Sequence, residues 1–109
     1  MIKNNGFAPA EVELAKEIRG ERQRAEEKLA KIVQQGRVLR ARRVSPSANE
    51  KTAFNLNATK VLAEYEQTLR QLNRKILSLN LSAPTAMHQP LLPVEELVQQ
   101  AHASCPLLK

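Results

Sequence analysis

Two stretches of the chain carry apolar residues at helical spacing. The clearer one runs through Leu62, Tyr65, Leu69, Leu72, Ile76 and Leu79, separated by 3, 4, 3, 4 and 3 positions. That is a heptad seam of the kind two facing helices bury between them. It predicts a helix from about Asn57, or from as early as Asn49, to Leu79. "NLSAP" then stops it, because Pro84 pushes the residue before it out of the α region. The other stretch places Ala15, Ile18, Ala25, Leu29 and Ile32 on one stripe, with Arg22 as its polar intruder. Arg22 either pairs with a glutamate across an interface or marks a register, or it snorkels from the stripe's edge. This helix should begin near Pro9, a favoured first helical position, with Glu11 and Glu13 in the turn where negative charge suits the dipole. Phe7, just outside, is placed to staple that turn. Gly20 weakens the helix by roughly 1 kcal/mol against alanine, and Gly36 either ends it or loosens it.

The two helices fit each other as an antiparallel pair. The midpoint between Pro9 and Pro84 falls in "VSPSAN", the best turn in the middle of the chain. Charge agrees with that direction. The segment from Glu11 to Glu27 carries six Glu against four Lys or Arg and would lie beside Arg70, Arg74 and Lys75. Lys28 and Lys31 would lie beside Glu64 and Glu66, and such flanking charges set orientation more than stability. Beyond Pro84 the tail holds one more helix signal: Pro93 first, Glu95 and Glu96 in the first turn, then Leu97, Val98 and Ala101 on one face. Leu91 and Leu92 should fold back onto the hairpin.

The fold class is therefore all-α: a long, coiled-coil-like antiparallel hairpin over residues 1–84, its elbow near 37–51, and a Pro-rich apolar tail over 85–109 with a short helix. Two helices with narrow seams bury little. The tail, an upstream segment, or a second copy forming a four-helix bundle must complete the core. Composition adds that this core is aliphatic, since hydrophobic residues make up 42% of the chain but aromatics only 3%.

Charge narrows the partners. The net charge is +6, and all eleven acids are Glu. From Lys28 to Lys60 there are eight Lys or Arg and one acid, Glu50. Within it, "RVLRARR" brings Arg37, Arg40, Arg42 and Arg43 together at the elbow. That tip either grips phosphates of a nucleic acid or is a solvated turn that keeps the chain soluble. Phe54 is the one aromatic within range for base stacking, which argues against single-strand recognition. Phe54 and Tyr65 are also candidate interface anchors, although Tyr65 sits on the seam and reads first as core.

Candidate chemistry is sparse. His88, His102 and Cys105 do not supply a zinc-type ligand set at metal spacing. No nucleotide-binding, nucleophile-elbow or metalloprotease motif occurs, so no cofactor, metal or catalytic residue is assigned. One cysteine cannot form an internal disulfide, no apolar run is long enough to span a membrane, and no secretory or transit pattern opens the chain. The expectation is a cytoplasmic, non-enzymatic interaction module. Its partner surface is the seam of Ala15, Ile18, Leu29, Ile32, Leu62, Tyr65, Leu69, Leu72, Ile76 and Leu79, offered to a second copy or another protein.

"IKNNGFAPAEVEL", through Lys3, Asn4, Gly6, Pro9 and Glu11, together with "LNRKILSLNLSAP", through Leu72, Asn73, Lys75, Ile76, Asn80 and Pro84, resembles the later part of the conserved domain of the DnaJ homologue, subfamily C, member twenty-eight proteins. The matches cover roughly residues 1–20 and 62–84. The resemblance implies a helical module in a family of undefined biochemical role, with a chaperone-associated or trafficking context by name alone. The family's Gly-rich segment and the His-Pro-Asp tripeptide of J-domains are absent here, so stimulation of a chaperone partner does not carry over. On the same resemblance "IKNNG" reads as the last turn of an upstream helix, with Gly6 as its C-cap, and Phe7 would pack near Leu79, Leu81 or the tail.

Overall fold

The computed structural model describes residues 9–109. The expectations for Gly6 and Phe7 lie outside the described residues. Helix α1 spans Pro9–Ala41, α2 spans Ala48–Ser82, a single 3-10 turn covers Thr85–Met87, and α3 spans Val94–Ser104. Among the described residues there is no strand.

The two long helices form the expected antiparallel hairpin. Ala15 and Ile18 of α1 pack with Leu72, Ile76 and Leu79 at one end. Ile32 packs with Phe54 and Ala58 at the other. The elbow is short because α2 starts promptly. Ser47 takes extended backbone, its hydroxyl accepts from the Glu50 N–H at 3.1 Å, and the Glu50 carboxylate accepts from the Ser47 N–H at 3.0 Å. This reciprocal capping box starts α2 at Ala48, close to the earlier of the two expected starts. It also extends the α2 seam towards the elbow through Phe54 and Ala58, so the buried stripe runs from Phe54 to Leu79.

Gly36 neither ends nor loosens α1, which continues through it to Ala41. It is buried, and a Cβ there would lie 2.9 Å from Cζ of Phe54 and 3.0 Å from Nη1 of Arg40. The Phe54 ring lies against bare backbone, where only glycine leaves room. At Gly20 a Cβ would meet nothing nearer than the mobile end of Arg24, at 3.3 Å. The same substitution should therefore act in opposite directions in one helix. Gly20→Ala is expected to stabilise by about 0.5–1 kcal/mol through helix propensity. Gly36→Ala is expected to destabilise by about 1–3 kcal/mol, because the ring must move out of a filled core. Thermal melts of the two variants read the sign directly.

The tail supplies the third layer. After Ser82 the chain reverses through the 3-10 turn and runs back along α2 towards the elbow. Met87 and Leu92 join the cluster at the hairpin's open end. Val94 and Ala101 of α3 pack with Leu62, Tyr65 and Leu69 at mid-length. Cys105 and Leu108 reach Ile32, Phe54 and Ala58 by the elbow. Leu92 folds back as expected, whereas its neighbour Leu91 remains exposed. The result is a rod of 63 × 26 × 16 Å, with the elbow at one end and the start of α1 at the other. Among the described residues, no helix is long and apolar enough to cross a membrane.

Candidate functional site

The seam residues are used within the chain. Ala15, Ile18, Ile32, Leu62, Tyr65, Leu69, Leu72, Ile76 and Leu79 are buried, and Leu29 is half-buried beneath the tail side of the hairpin. Surfaces available to a partner therefore lie elsewhere.

One such surface is a trough between α1 and α2. Near mid-length it is polar, with Glu21, Arg24 and Lys28 on one wall and Glu64, Thr68 and Gln71 on the other. Near the elbow it becomes more apolar, with Val38 and Leu39 facing Ala53 and Phe54. On both helices the lining positions recur at heptad-type spacing, so they form a second stripe beside the buried one. On α2 that stripe lies about half a turn from the residues that hold the tail. The tail thus covers one side of the hairpin and the trough opens on the other. Tyr65 forms part of the floor, where burial pushes its hydroxyl pKa up and the nearby Glu26 carboxylate adds to the rise. Arg22 meets Glu26 one turn on along its own helix at 3.1 Å, not a glutamate across an interface.

The acid–base pattern between the arms is partly as expected. Lys75 reaches across to Glu17 at 2.5 Å and to Glu21. Hydrogen bonds from these carboxylates, Glu17 first, raise the Lys75 pKa, so this pairing persists at neutral pH and fades only above the ordinary lysine value. Arg70 instead pairs with Glu66 on α2 itself, at 2.8 Å. Lys28 and Glu64 face each other across the trough as its two walls.

At the elbow the four arginines separate into two kinds. Arg42 holds Glu50 at 2.6 Å, and Arg40 donates to the Pro106 carbonyl at 3.5 Å. Arg37 and Arg43 are exposed, with no partner among the described residues. Phe54 lies beneath, buried against Gly36, so no aromatic face is presented for stacking. Glu50 is exposed. Its carboxyl pKa is held below the usual 4.5, first by the Ser47 N–H and then by Arg42. A folded pKa below the unfolded one contributes stability above the unfolded value, and that contribution is lost as pH falls through the folded value. The start of α2 should therefore loosen first in acid. Protection of the Ser47 and Glu50 amides, measured against the intrinsic exchange rate at each pH, is expected to fall below pH 4.5 while amides in the Leu69–Ile76 turns stay protected.

A third arrangement holds the tail. Asn80 accepts from the Gln89 N–H at 2.9 Å and donates to the Gln89 carbonyl at 2.8 Å. Asn73 does the same with Leu92, at 2.7 and 3.0 Å. Asn55 does the same with Leu108, at 2.8 Å for both bonds. Each carboxamide thus takes both main-chain groups of one tail residue, as a neighbouring strand would. The spacing explains the register. Seven helical residues from Asn73 to Asn80 rise about 10.5 Å, and three extended residues from Gln89 to Leu92 span about 10 Å. Eighteen residues from Asn55 to Asn73 make about five full turns, so all three asparagines share one face. Between them, where α3 satisfies its own backbone, α2 presents Leu62, Tyr65 and Leu69 instead. Pro90 and Pro93, which have no N–H to offer, fall between the clamped residues.

His88 closes the end of α2 through Nε2 to the Ala83 carbonyl at 3.0 Å, and Cys105 is buried with its thiol pKa raised by that burial. Among the described residues, no three His, Cys, Asp or Glu side chains converge as a metal site.

No family model, curated protein or solved structure matches the chain.

Proposed function

We propose that this chain is a non-enzymatic helical interaction module that docks a helix of a partner protein in the trough between α1 and α2. The observation that carries this reading is the trough itself. It lies on the side of the hairpin that the tail leaves open, its walls repeat at heptad-type spacing, and its elbow end offers Val38, Leu39 and Ala53 as apolar seats. The mixed charge of Glu21, Arg24, Lys28 and Glu64 suits a helix bearing both signs. The resemblance to the DnaJ-related family bears on the scaffold rather than on the role. Its second motif falls on residues that build this scaffold: Leu72 and Ile76 in the core, Asn73 and Asn80 on the tail, Lys75 across the hairpin and Pro84 at the helix stop.

Site-specific photo-crosslinking tests the reading. A photoreactive residue at Val38 or Thr68, inside the trough, should give one discrete adduct in native lysate, mapping to a helical segment of the captured protein. The same group at Ser78 or His102, outside it, should not. Adducts of equal yield from all four positions, or none from the trough, would reject it.

A second reading, phosphate binding by the elbow, is favoured by the excess of basic residues from Lys28 to Lys60 and by the unpaired Arg37 and Arg43. It requires RNA binding that weakens steeply with salt and is lost in an Arg37→Glu/Arg43→Glu variant. Binding that is unaffected by that change, or absent at low salt, excludes it.

A further inference from the structure

The asparagine ladder reads main chain, so what it accepts is set by backbone geometry rather than by side chains. The structure shows one occupant that fits, the chain's own tail, and a second copy carries the same tail. We propose that the ladder also accepts the tail of a second copy, so that two chains exchange residues 85–109 into an end-to-end dimer in which each hairpin is completed by its partner's third layer. This goes beyond the helix-docking reading and stands without it.

Three observations carry the proposal. The first is the hinge. The tail returns onto its own hairpin only because the chain reverses at Thr85–Met87. That reversal is held by Met87 N–H to the Pro84 carbonyl at 2.8 Å, His88 N–H to the Thr85 carbonyl at 3.0 Å, and the His88 ring on the Ala83 carbonyl. The residues around it, Ala83, Pro84 and His88, already hold extended backbone, with ψ of 154°, 153° and 139°. Opening one turn gives up few bonds and leaves a stiff, Pro-spaced connector that points straight on.

The second is direction. In one chain the tail runs antiparallel to α2. If two hairpins meet at their open ends about a twofold axis, their α2 helices point at each other. A tail that continues straight from one α2 then arrives antiparallel on the other, as the ladder requires. The contacts of Asn55, Asn73 and Asn80 are reproduced in trans without change, which makes exchange a low-cost route to a dimer.

The third is what surrounds the junction. Leu81, in the last turn of α2, is 89% exposed. An end-to-end neighbour would meet Leu81 there. The same arrangement places the two basic elbows at the far ends of the dimer, where their repulsion is least.

The test pairs two damaged full-length chains. One carries Asn73→Leu and Asn80→Leu, a broken ladder with an intact tail. The other carries Leu92→Pro, an intact ladder with a tail that has lost the N–H taken by Asn73. Refolded together, they should form a species of twice the chain mass that melts roughly 5 °C or more above either variant alone, since one intact ladder then meets one intact tail. Wild-type chain refolded at rising concentration should give the same doubled mass, about twice the 63 Å length of one rod. A mixture that melts as the sum of its parts, with wild type at single mass at every concentration, would overturn the proposal. So would a doubled species that forms equally from either variant alone. A variant too weak to fold by itself leaves the test intact, because exchange would rescue it in the mixture.

Discussion

A chain ending at Ser82 is expected to lose its cooperative melt as a monomer. It keeps both long helices and every contact between them, but not the layer that covers the tail side of α2. Val94, Ala101 and Cys105 are buried in that layer, and Leu92, Leu97, Val98 and Leu108 are packed against the same clusters. Their removal also exposes Ala58, Leu62 and Leu69 on the hairpin. Burial of one medium apolar side chain contributes about 1.5–3 kcal/mol, and a domain of this size has only about 5–15 kcal/mol in all. The expected loss is about 5 kcal/mol or more, the larger part of the total. Circular dichroism should show a broad, non-cooperative helix loss, and sedimentation should show self-association through the uncovered stripe. A sharp monomeric transition in the shortened chain would mean that the hairpin carries its own stability.

Asn73→Leu is expected to cost about 2–4 kcal/mol, although leucine is similar in size and a better helix former. The side chain is part-buried and makes two bonds to Leu92, of 2.7 and 3.0 Å. Each bond contributes about 1 kcal/mol net, and a part-buried amide left without a partner adds its desolvation cost. Asn73→Asp separates the two halves of the contact. It keeps the acceptor for the Leu92 N–H but sets a carboxylate against the Leu92 carbonyl, so it should recover little of the loss. Asn57→Leu is the control: Asn57 is exposed at the trough's edge on the same helix and should shift stability by no more than about 0.5 kcal/mol. Chemical denaturation of the three variants ranks them. Equal effects at 57 and 73 would show that the carboxamide bonds add nothing beyond polarity.

The hairpin was legible because its signal is local and periodic. Six residues from Leu62 to Leu79 keep one face by spacing alone, and all six are buried. Pro84, the "VSPSAN" turn and the helix start near Pro9 are short-range chemistry that acts the same way in any context. Other features depend on what comes back in space. Ala58 carries too little hydrophobic weight to extend a seam in a sequence, yet it is fully buried because Phe54 and Cys105 close around it. Gly36 reads as a helix breaker until the Phe54 ring is seen against it. Asn55, Asn73 and Asn80 add nothing to an apolar pattern. Their purpose appears only when a segment many residues later lies on them, although their common face was available from the spacing. The elbow arginines look alike in sequence and differ in the structure, because Glu50 and the Pro106 carbonyl each claim one of them.

A contact made to main chain is indifferent to heredity in one partner and unforgiving in the other. At Gln89 almost any side chain but proline leaves the clamped N–H and C=O in place, whereas Leu92 and Leu108 must also stay apolar to pack against the core. At Asn55, Asn73 and Asn80 the donor and acceptor must sit on the same short arm, a requirement that Asp, Ser and Leu fail by chemistry and Gln by length. Sequences descended from this one should therefore vary at the exposed tail positions while repeating the three asparagines and the apolar character of Leu92, Val94, Ala101, Cys105 and Leu108.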